Sequence, residues 1–198
     1  MVKKFLLATH NPGKLKEMSA FLSRLEIELV TPSDLGISVE VEETGKTFAE
    51  NAMLKAKAAC AAAKIPAIAD DSGLCVDALN GGPGVYSARY GGENLDDRGR
   101  MMLLLNTMRG MPTRSAHFTC AIACAFPNGD ILTAEGECAG SIAYAPMGTD
   151  GFGYDPVFLV PDKAKTFAQM GVSEKEKISH RGKALKDFLS KLETYLKK

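Results

Sequence analysis

The sequence predicts an α/β protein built on a mixed β-sheet and arranged in two lobes. In the first half of the chain, short apolar segments alternate with segments whose apolar residues recur at helical spacing. In the second half, strand-like segments follow one another and meet across an Asn-Gly turn. Alternating strands and helices favour parallel pairing, whereas consecutive strands favour antiparallel pairing, so the two halves together predict a mixed sheet.

The first half of the chain supplies the alternating strands and helices. Thr47 can cap the second of these helices, because Glu50 follows three residues later as its capping-box partner. Residues 31–45 are acidic and predict a loop. In chain order, the predicted elements are a strand over residues 2–8, a helix over 13–25, a strand over 27–30, a helix over 47–64 and a strand over 66–70.

The second half begins with a loop and continues with clustered strands. Residues 80–92, "NGGPGVYSARYGG", contain too many glycines for a regular element and predict a shaped loop. In chain order, the remaining predicted elements are a helix over residues 96–109, a hairpin of strands over 115–126 and 130–139, a strand over 141–145 and a helix over 180–196.

The composition is that of an ordinary globular chain. The 198 residues suit a single domain with two lobes over residues 1–198. Lys+Arg and Asp+Glu both number 24, so the net charge is zero, and the basic excess of a nonspecific nucleic-acid binder is missing. No apolar run approaches the roughly 18 residues of a membrane span. We therefore expect neither a nucleic-acid partner nor a membrane partner.

The cysteines and the N-terminus indicate the cytoplasm. The five cysteines are odd in number and form no C-x-x-C pair. This pattern favours small buried hydrophobic residues in a reducing compartment over disulfides or metal ligands. The N-terminal apolar run is too short for the core of a signal peptide.

Two adjacent carboxylates, Asp70 and Asp71, follow an apolar strand and precede another apolar stretch. Buried acids are rare unless they are paired, hydrogen-bonded or bound to a metal, and α/β enzymes place catalytic groups at strand ends. Successive residues point to opposite sides, so one carboxylate can face a site while the other supports it. Because Mg²⁺ prefers a few carboxylates together with substrate phosphates, Asp71 and Glu43 of the acidic loop are candidate ligands.

The stretch "ATHNPGK", residues 8–14, joins the first strand to the first helix. A helix N-terminus suits phosphate, and Lys14 adds a full positive charge to it, while Thr9 and Asn11 add short polar groups. The stretch is not a Walker A loop, because its first glycine is missing and Leu15 stands where Ser or Thr would bind magnesium. Taken by itself, the stretch also fits a plain capped turn.

Two later stretches carry groups that could recognise a planar ring. In "GTDGFGYDP", residues 148–156, glycines allow close approach and Phe152 or Tyr154 could stack. In "EKEKISHRGKAL", residues 174–185, His180 and Arg181 are hydrogen-bond donors at the start of the last helix. The alternatives are a tight turn with aromatic packing and a helix start with a structural arginine.

These stretches, taken in order, resemble the inosine triphosphate pyrophosphatase family over almost the whole chain. The matching motifs are "THNPGK", "EETG..F.ENA", "ADDSGL", "GGPGVYSARY", "GTDGFGYDP" and "SHRG.AL". The resemblance implies a long central mixed sheet flanked by helices, with the site in a cleft between two lobes, and a homodimer. It implies the reaction NTP + H₂O → NMP + pyrophosphate with Mg²⁺, on deaminated purine nucleotides such as ITP, dITP and XTP. The role would be to cleanse the nucleotide pool.

The resemblance also implies roles for individual residues. Asp71 would be the general base or a metal ligand, and Glu43 the second metal ligand ahead of Glu42. Residues 152–155 would hold base and sugar, and the family's other loops would bind phosphate and read the base. The implied substrate-binding residues are Thr9, His10, Asn11, Pro12, Gly13, Lys14, Lys55, Ser72, Arg89, Phe152, Gly153, Tyr154, Asp155, Lys175, His180 and Arg181. His10 departs from the pattern, because many members have glycine there.

The choice of base has a physical interpretation. Hypoxanthine and xanthine carry an acceptor oxygen at C6, whereas adenine carries a donor amino group, so donors from His180 and Arg181 would favour the deaminated bases.

Two other functions compete with hydrolysis of deaminated purine nucleotides. The first rival is a pyrophosphatase for modified pyrimidine nucleotides. The second is a non-catalytic nucleotide-binding or RNA-binding module.

Overall fold

The computed structural model describes residues 3–197. The strands are β1 (Lys3–Leu7), β2 (Ile27–Val30), β3 (Ala67–Val76), β4 (Gly82–Pro83), β5 (Ser115–Ala125), β6 (Ile131–Ile142), β7 (Phe158–Val160) and β8 (Lys165–Thr166). The α-helices are α1 (Pro12–Leu22), α2 (Phe48–Ala63), α3 (Asp97–Thr107), α4 (Val172–Ile178) and α5 (His180–Leu196).

The strands form one eight-stranded sheet in the order β2-β1-β3-β5-β6-β7-β8, with β4 paired to β3. Strand β1 runs parallel to both β2 and β3. Strand β7 runs antiparallel to β6 and β8, and β4 runs antiparallel to β3. The sheet is therefore mixed, and the predicted α/β class is confirmed.

The described chain divides into two compact units. Unit 1 contains residues 3–71, 120–136 and 184–197, and unit 2 contains residues 72–119 and 137–183. The organisation as a single domain with a cleft between two lobes stays a prediction.

Unit 1 has a separate apolar cluster on each face of strand β1. Phe5 and Leu7 belong to a cluster with residues of α1 and α5, whereas Leu6 belongs to an alanine-rich cluster with residues of α2. Successive strand side chains point to opposite faces, so a strand covered by helices on both faces must be apolar throughout. This is why "FLL" shows no alternation of polar and apolar residues.

Unit 2 has a core rich in aromatic side chains. Phe118 packs against Phe158 and Phe167, with ring centroids 4.7 and 5.9 Å apart. Leu104 from α3 and Tyr154 belong to the same buried cluster. These large side chains give the unit its buried apolar area.

Several predicted boundaries agree with the structure. The strand predicted over residues 27–30 and the helix predicted over 180–196 coincide with β2 and α5. Thr47 caps α2 through the predicted box, with the Glu50 amide donating to Thr47 Oγ1 at 3.2 Å and the Thr47 amide donating to Glu50 Oε2 at 3.2 Å. The cysteines are free and buried, as predicted.

Other predicted boundaries are wrong. The strand predicted over 66–70 continues to Val76. Asp70 and Asp71 do not end it, because Lys14 and Lys55 compensate their charges inside the sheet. The strand predicted over 130–139 and the start of the strand predicted over 141–145 form one strand, β6, which ends at Ile142. The helix predicted over 13–25 begins at Pro12 and ends at Leu22. Val2, predicted to begin β1, lies outside the described residues.

Some short elements were not predicted at all. Strands β4, β7 and β8 have only two or three residues, and α4 has seven, so their sequences carry too little periodicity to read. Within residues 3–197, no helix combines the length and the apolar composition that crossing a bilayer requires.

Candidate active site

In unit 1, the loop before α1 is folded around its own side chains. Asn11 caps the helix by accepting a hydrogen bond from the Lys14 amide at 3.1 Å, and Pro12 occupies the first turn, where its missing N–H costs nothing. The backbone amide of Asn11 in turn donates to Thr9 Oγ1 at 3.2 Å. Because His10 and Pro12 are exposed, an anion can approach the surface of this loop and the positive end of α1.

Lys14, in the first turn of α1, pairs with Asp70 on β3. Lys14 Nζ lies 3.0 Å from Asp70 Oδ2, and the Asp70 side chain is only 1% exposed. A buried carboxylate needs such a partner, because desolvation of an uncompensated charge costs several kcal/mol. Asp70 thus ties Lys14 to the sheet.

The neighbouring carboxylate, Asp71, uses a different lysine. Lys55 Nζ on α2 lies 3.0 Å from Asp71 Oδ1 and 2.9 Å from Glu43 Oε1 in the acidic loop. Glu43 is half-buried, whereas Glu42 is exposed, so the geometry favours Glu43 over Glu42 as the candidate metal ligand of that loop. Asp70 and Asp71 point to opposite sides of β3, and each binds its own lysine.

Burial dominates the electrostatics of this cluster. Desolvation raises the pKa of Asp71 above its ordinary value, and the ammonium groups of Lys55 and Lys14 offset only part of that effect. For Lys55, burial acts to lower the pKa, but the negative charges of Asp71, Asp70 and Glu43 outweigh it, and the pKa is raised. Lys55 is therefore held as a cation, while Asp71 is a carboxylate with enhanced basicity.

Asn51 completes this group, and its sequence context predicts no role for it. It is fully buried, and its amide donates to Asp71 Oδ2 at 3.1 Å. The signal that could have found it is the spacing from Lys55, because residues four apart on a helix share a face.

In unit 2, a second group gathers around Asp155 and Lys175. Lys175 Nζ lies 2.7 Å from Asp155 Oδ2, and that same oxygen accepts the Phe152 amide at 2.9 Å. Both charged side chains are buried. Gly151 has φ of +80°, and a Cβ there would collide with the Asp155 carboxylate, so only glycine fits. Asp155 thus fixes both the Phe152 turn and the lysine.

His180 and Arg181 lie beside this group at the start of α5. The His180 ring stacks on Phe118 with centroids 4.6 Å apart and planes at 12°. Arg181 Nη2 donates to Ser72 Oγ at 2.8 Å, and its guanidinium carbon lies 5.6 Å from the centre of the Phe152 ring. Both residues are buried, so their orientations are set by packing.

Comparison with known proteins identifies the family. A sequence model of the Ham1 family matches residues 5–191. This chain belongs to the Ham1 family. A Bacillus subtilis protein named dITP/XTP pyrophosphatase is 47% identical over 194 residues, which cover 97% of this chain and 98% of that protein. A Nostoc protein of the same name is 51% identical over 198 residues, which cover 99% of this chain and 97% of that protein.

Solved structures of Ham1 proteins share the fold. The Staphylococcus aureus Ham1 protein gives a TM-score of 0.89 at 41% identity and covers 98% of this chain and 100% of its own. A Mycobacterium abscessus structure described as a nucleoside-triphosphatase / dITP/XTP pyrophosphatase gives a TM-score of 0.78 at 42% identity, covering 94% of this chain and 98% of its own. The family resemblance read from the motifs is confirmed.

The acidic group of this Ham1 chain fits a divalent cation by its donor chemistry. Glu43 and Asp71 present carboxylate oxygens to one cationic atom, Lys55 Nζ. Mg²⁺ is commonly bound by one or two carboxylates, with water and substrate phosphates completing its ligands. In the described part of the chain, no three His, Cys, Asp or Glu side chains are grouped to hold a metal ion. A cation here would thus depend on ligands from substrate and water.

The remaining predicted residues of the Ham1 chain lie in unit 2. Tyr154 is buried, and its hydroxyl donates to the Ser87 carbonyl at 2.9 Å, which leaves the half-buried Phe152 as the aromatic side chain suited to stacking. The Gly153 amide donates to Asp97 Oδ2 at 3.1 Å. The guanidinium of Arg89 lies 5.1 Å from the centre of the Tyr86 ring, and its contact with substrate stays a prediction.

Proposed function

We propose that this chain hydrolyses deaminated purine nucleoside triphosphates, namely ITP, dITP and XTP, to the monophosphate and pyrophosphate. The names of its close Ham1 relatives bear out this prediction from the sequence. The observation that carries the proposal is the cluster in which Lys55 joins Glu43 to Asp71 beside the Lys14–Asp70 pair. Adjacent carboxylates that pair with lysines are the groups expected at a site that binds phosphate and a metal ion.

Unit 1 would handle the triphosphate. Lys14 and the backbone of residues 9–14 would bind phosphate oxygens, because a helix N-terminus and a lysine both favour anions. Glu43 and Asp71 would hold Mg²⁺, which when bound neutralises phosphate charge and acidifies water. The Asp71 carboxylate is also the candidate to accept a proton from the attacking water. The reaction consumes one water and separates the nucleotide between its α- and β-phosphates.

Unit 2 would recognise the base. Phe152 would stack on the purine, with the cations of Lys175 and Arg181 near its ring at 5.3 and 5.6 Å. Donors from His180 and Arg181 would pair with the oxygen at C6, and adenine would leave a buried donor unmatched. Because Ser72 and Phe118 hold these donors in place, the selection would come from a preorganised site.

We further propose Mg²⁺ as the cofactor, a homodimer as the assembly and the cytoplasm as the location. The carboxylate donors support the first of these. The family resemblance supports the assembly, and the uniformly free, buried cysteines support a reducing compartment.

The deciding experiment measures pyrophosphate release from ITP, dITP, XTP, ATP, GTP and a modified pyrimidine triphosphate, each with Mg²⁺ and with EDTA. Fast Mg²⁺-dependent release from the deaminated purines, with ATP and GTP far slower, is the expected result. Preference for the pyrimidine would favour the first rival function. Release of orthophosphate, or no hydrolysis at all, would refute the proposal, and the latter result would favour a binding module.

A further inference from the structure

Asn51 is a fully buried polar residue, and both ends of its side-chain amide are engaged. Its Oδ1 accepts the Gly45 amide at 2.8 Å, and its Nδ2 donates to Asp71 Oδ2 at 3.1 Å. A backbone N–H can only donate and a carboxylate can only accept, so these two partners determine which way the amide faces. Asn51 therefore connects the acidic loop to strand β3.

The backbone at Gly45 is shaped around this amide. A Cβ on Gly45 would lie 2.5 Å from Asn51 Oδ1 and 2.8 Å from Glu50 Cβ, both closer than real contacts allow. Gly45 is two residues beyond Glu43 in the same loop. The bond that holds Gly45 thus restricts where the Glu43 carboxylate can lie.

We propose that Asn51 is a positioning residue that fixes the Glu43 and Asp71 carboxylates relative to each other. This inference rests on the proposed function, because it assigns those two carboxylates to the metal. Lys55, one helical turn further along α2, contacts the same two carboxylates through a long, flexible side chain. Asn51 has a short side chain that is held at both ends, so it sets geometry where Lys55 supplies charge.

The Asn51→Ala variant tests the role. It removes both hydrogen bonds, and loss of a group that orients metal ligands commonly costs about 10–100-fold in activity or metal affinity. We expect kcat for ITP to fall by about that factor, and the Mg²⁺ concentration for half-maximal rate to rise by about tenfold or more. The KM for ITP should change little, because the side chain of Asn51 bonds only Asp71 and Gly45 among the contacts described, and neither is proposed to bind phosphate or base.

A second readout uses neither metal nor nucleotide. Hydrogen exchange at the Gly45 amide, followed by NMR in EDTA, reports directly on the bond to Asn51. Exchange should accelerate in Asn51→Ala but stay near the wild-type rate in Asn51→Asp, which keeps the acceptor. Asn51→Asp replaces the donor toward Asp71 with a carboxylate oxygen, so its kcat should fall as far as that of the alanine variant.

Cys60→Ala is the matched control, since Cys60 is buried on the same helix nine residues beyond Asn51. It should change neither the Gly45 exchange rate nor the Mg²⁺ requirement. Wild-type kcat and Mg²⁺ requirement in both Asn51 variants, unchanged Gly45 exchange in Asn51→Ala, or equal losses in the control would each overturn the proposal. If Asn51→Ala does not fold, the similarly shaped Asn51→Asp decides. If the wild-type chain releases no pyrophosphate, the proposed function fails, and the exchange comparison still decides whether Asn51 holds the loop.

Discussion

Replacing Asp71 with asparagine should abolish most of the activity without weakening the fold. The replacement keeps the shape of the side chain, removes its charge and puts an N–H donor where Asp71 has a second acceptor oxygen. Burial raises the pKa of Asp71, which means that the folded protein disfavours the charged form despite the nearby lysines. A group with a raised folded-state pKa reduces stability once the pH exceeds its ordinary value near 3.8, so loss of the charge by itself should not lower the free energy of unfolding at neutral pH. Lys55 keeps Glu43 as a partner at 2.9 Å.

The loss of activity has a different origin and a large size. Positioned general bases contribute about 100- to 10,000-fold to rates, so kcat for ITP should fall by about that factor in Asp71→Asn. Pyrophosphate release measures the rate, and thermal unfolding in EDTA measures the stability. Adding Mg²⁺ should raise the unfolding midpoint of the wild type more than that of the variant, because only a ligand that binds the folded state stabilises it.

A neighbouring acid gives the control. Glu42→Gln neutralises an exposed carboxylate in the same acidic loop and should keep wild-type turnover, whereas Glu43→Gln should lose it. Turnover in Asp71→Asn within tenfold of the wild type would refute the role of Asp71. A variant that is unfolded in EDTA would contradict the expectation that the chain folds without the Asp71 carboxylate.

Three further predictions concern other parts of the chain. Arg181→Ala should narrow the preference for ITP over ATP by at least about tenfold, because a charge-assisted hydrogen bond to the base is lost; parallel kcat/KM measurements test this, and an unchanged ratio counts against it. Tyr154→Phe should lower the free energy of unfolding by about 1 kcal/mol, since the buried Ser87 carbonyl loses its donor at 2.9 Å; urea unfolding tests this, and an unchanged midpoint contradicts it. The amide and hydroxyl of Thr31 donate to Asp34 and lower the pKa of that carboxyl. The resulting stability is present above the ordinary pKa and is lost as the pH falls through the lowered one, so stability of Asp34→Asn should vary less with pH in acid than that of the wild type.

The elements that the sequence predicted well are those with strong local signals. The second helix was predicted because Thr47 and Glu50 form a capping box and alanines follow, and the structure has it. Strand β3 was cut short in the prediction because charges inside a strand normally mark its end. The compensating lysines come from residues 14 and 55, distant in sequence, and no local pattern reveals that pairing.

The sequence predicts residues of the candidate site only where residue type and family resemblance agree. Asp71 and Lys14 are predicted because a carboxylate can bind a metal ion and a lysine can bind phosphate. Asn51 is not predicted, because asparagine in a helix has no distinctive chemistry until its partners are known. Tyr154 shows the opposite case: its type suggested stacking, but its packing places it in the core. Whether such a residue can contact a ligand depends on its burial and on its contacts with residues distant in sequence.

The charges of the unit 1 cluster explain why an enzyme of this design would need a divalent cation. Asp70, Asp71 and Glu43 contribute three negative charges when ionised, and Lys14 and Lys55 contribute two positive ones, so these five side chains carry a net charge of −1. That balance lets the buried carboxylates exist without a metal, because each contacts an ammonium group. It also repels a triphosphate, which carries several negative charges. A divalent cation would reverse the sign to +1 and make the same cluster attract its substrate. Lys55 would thus compensate the carboxylates, Lys14 would both compensate Asp70 and bind phosphate, and the cation would make the cluster attract its substrate.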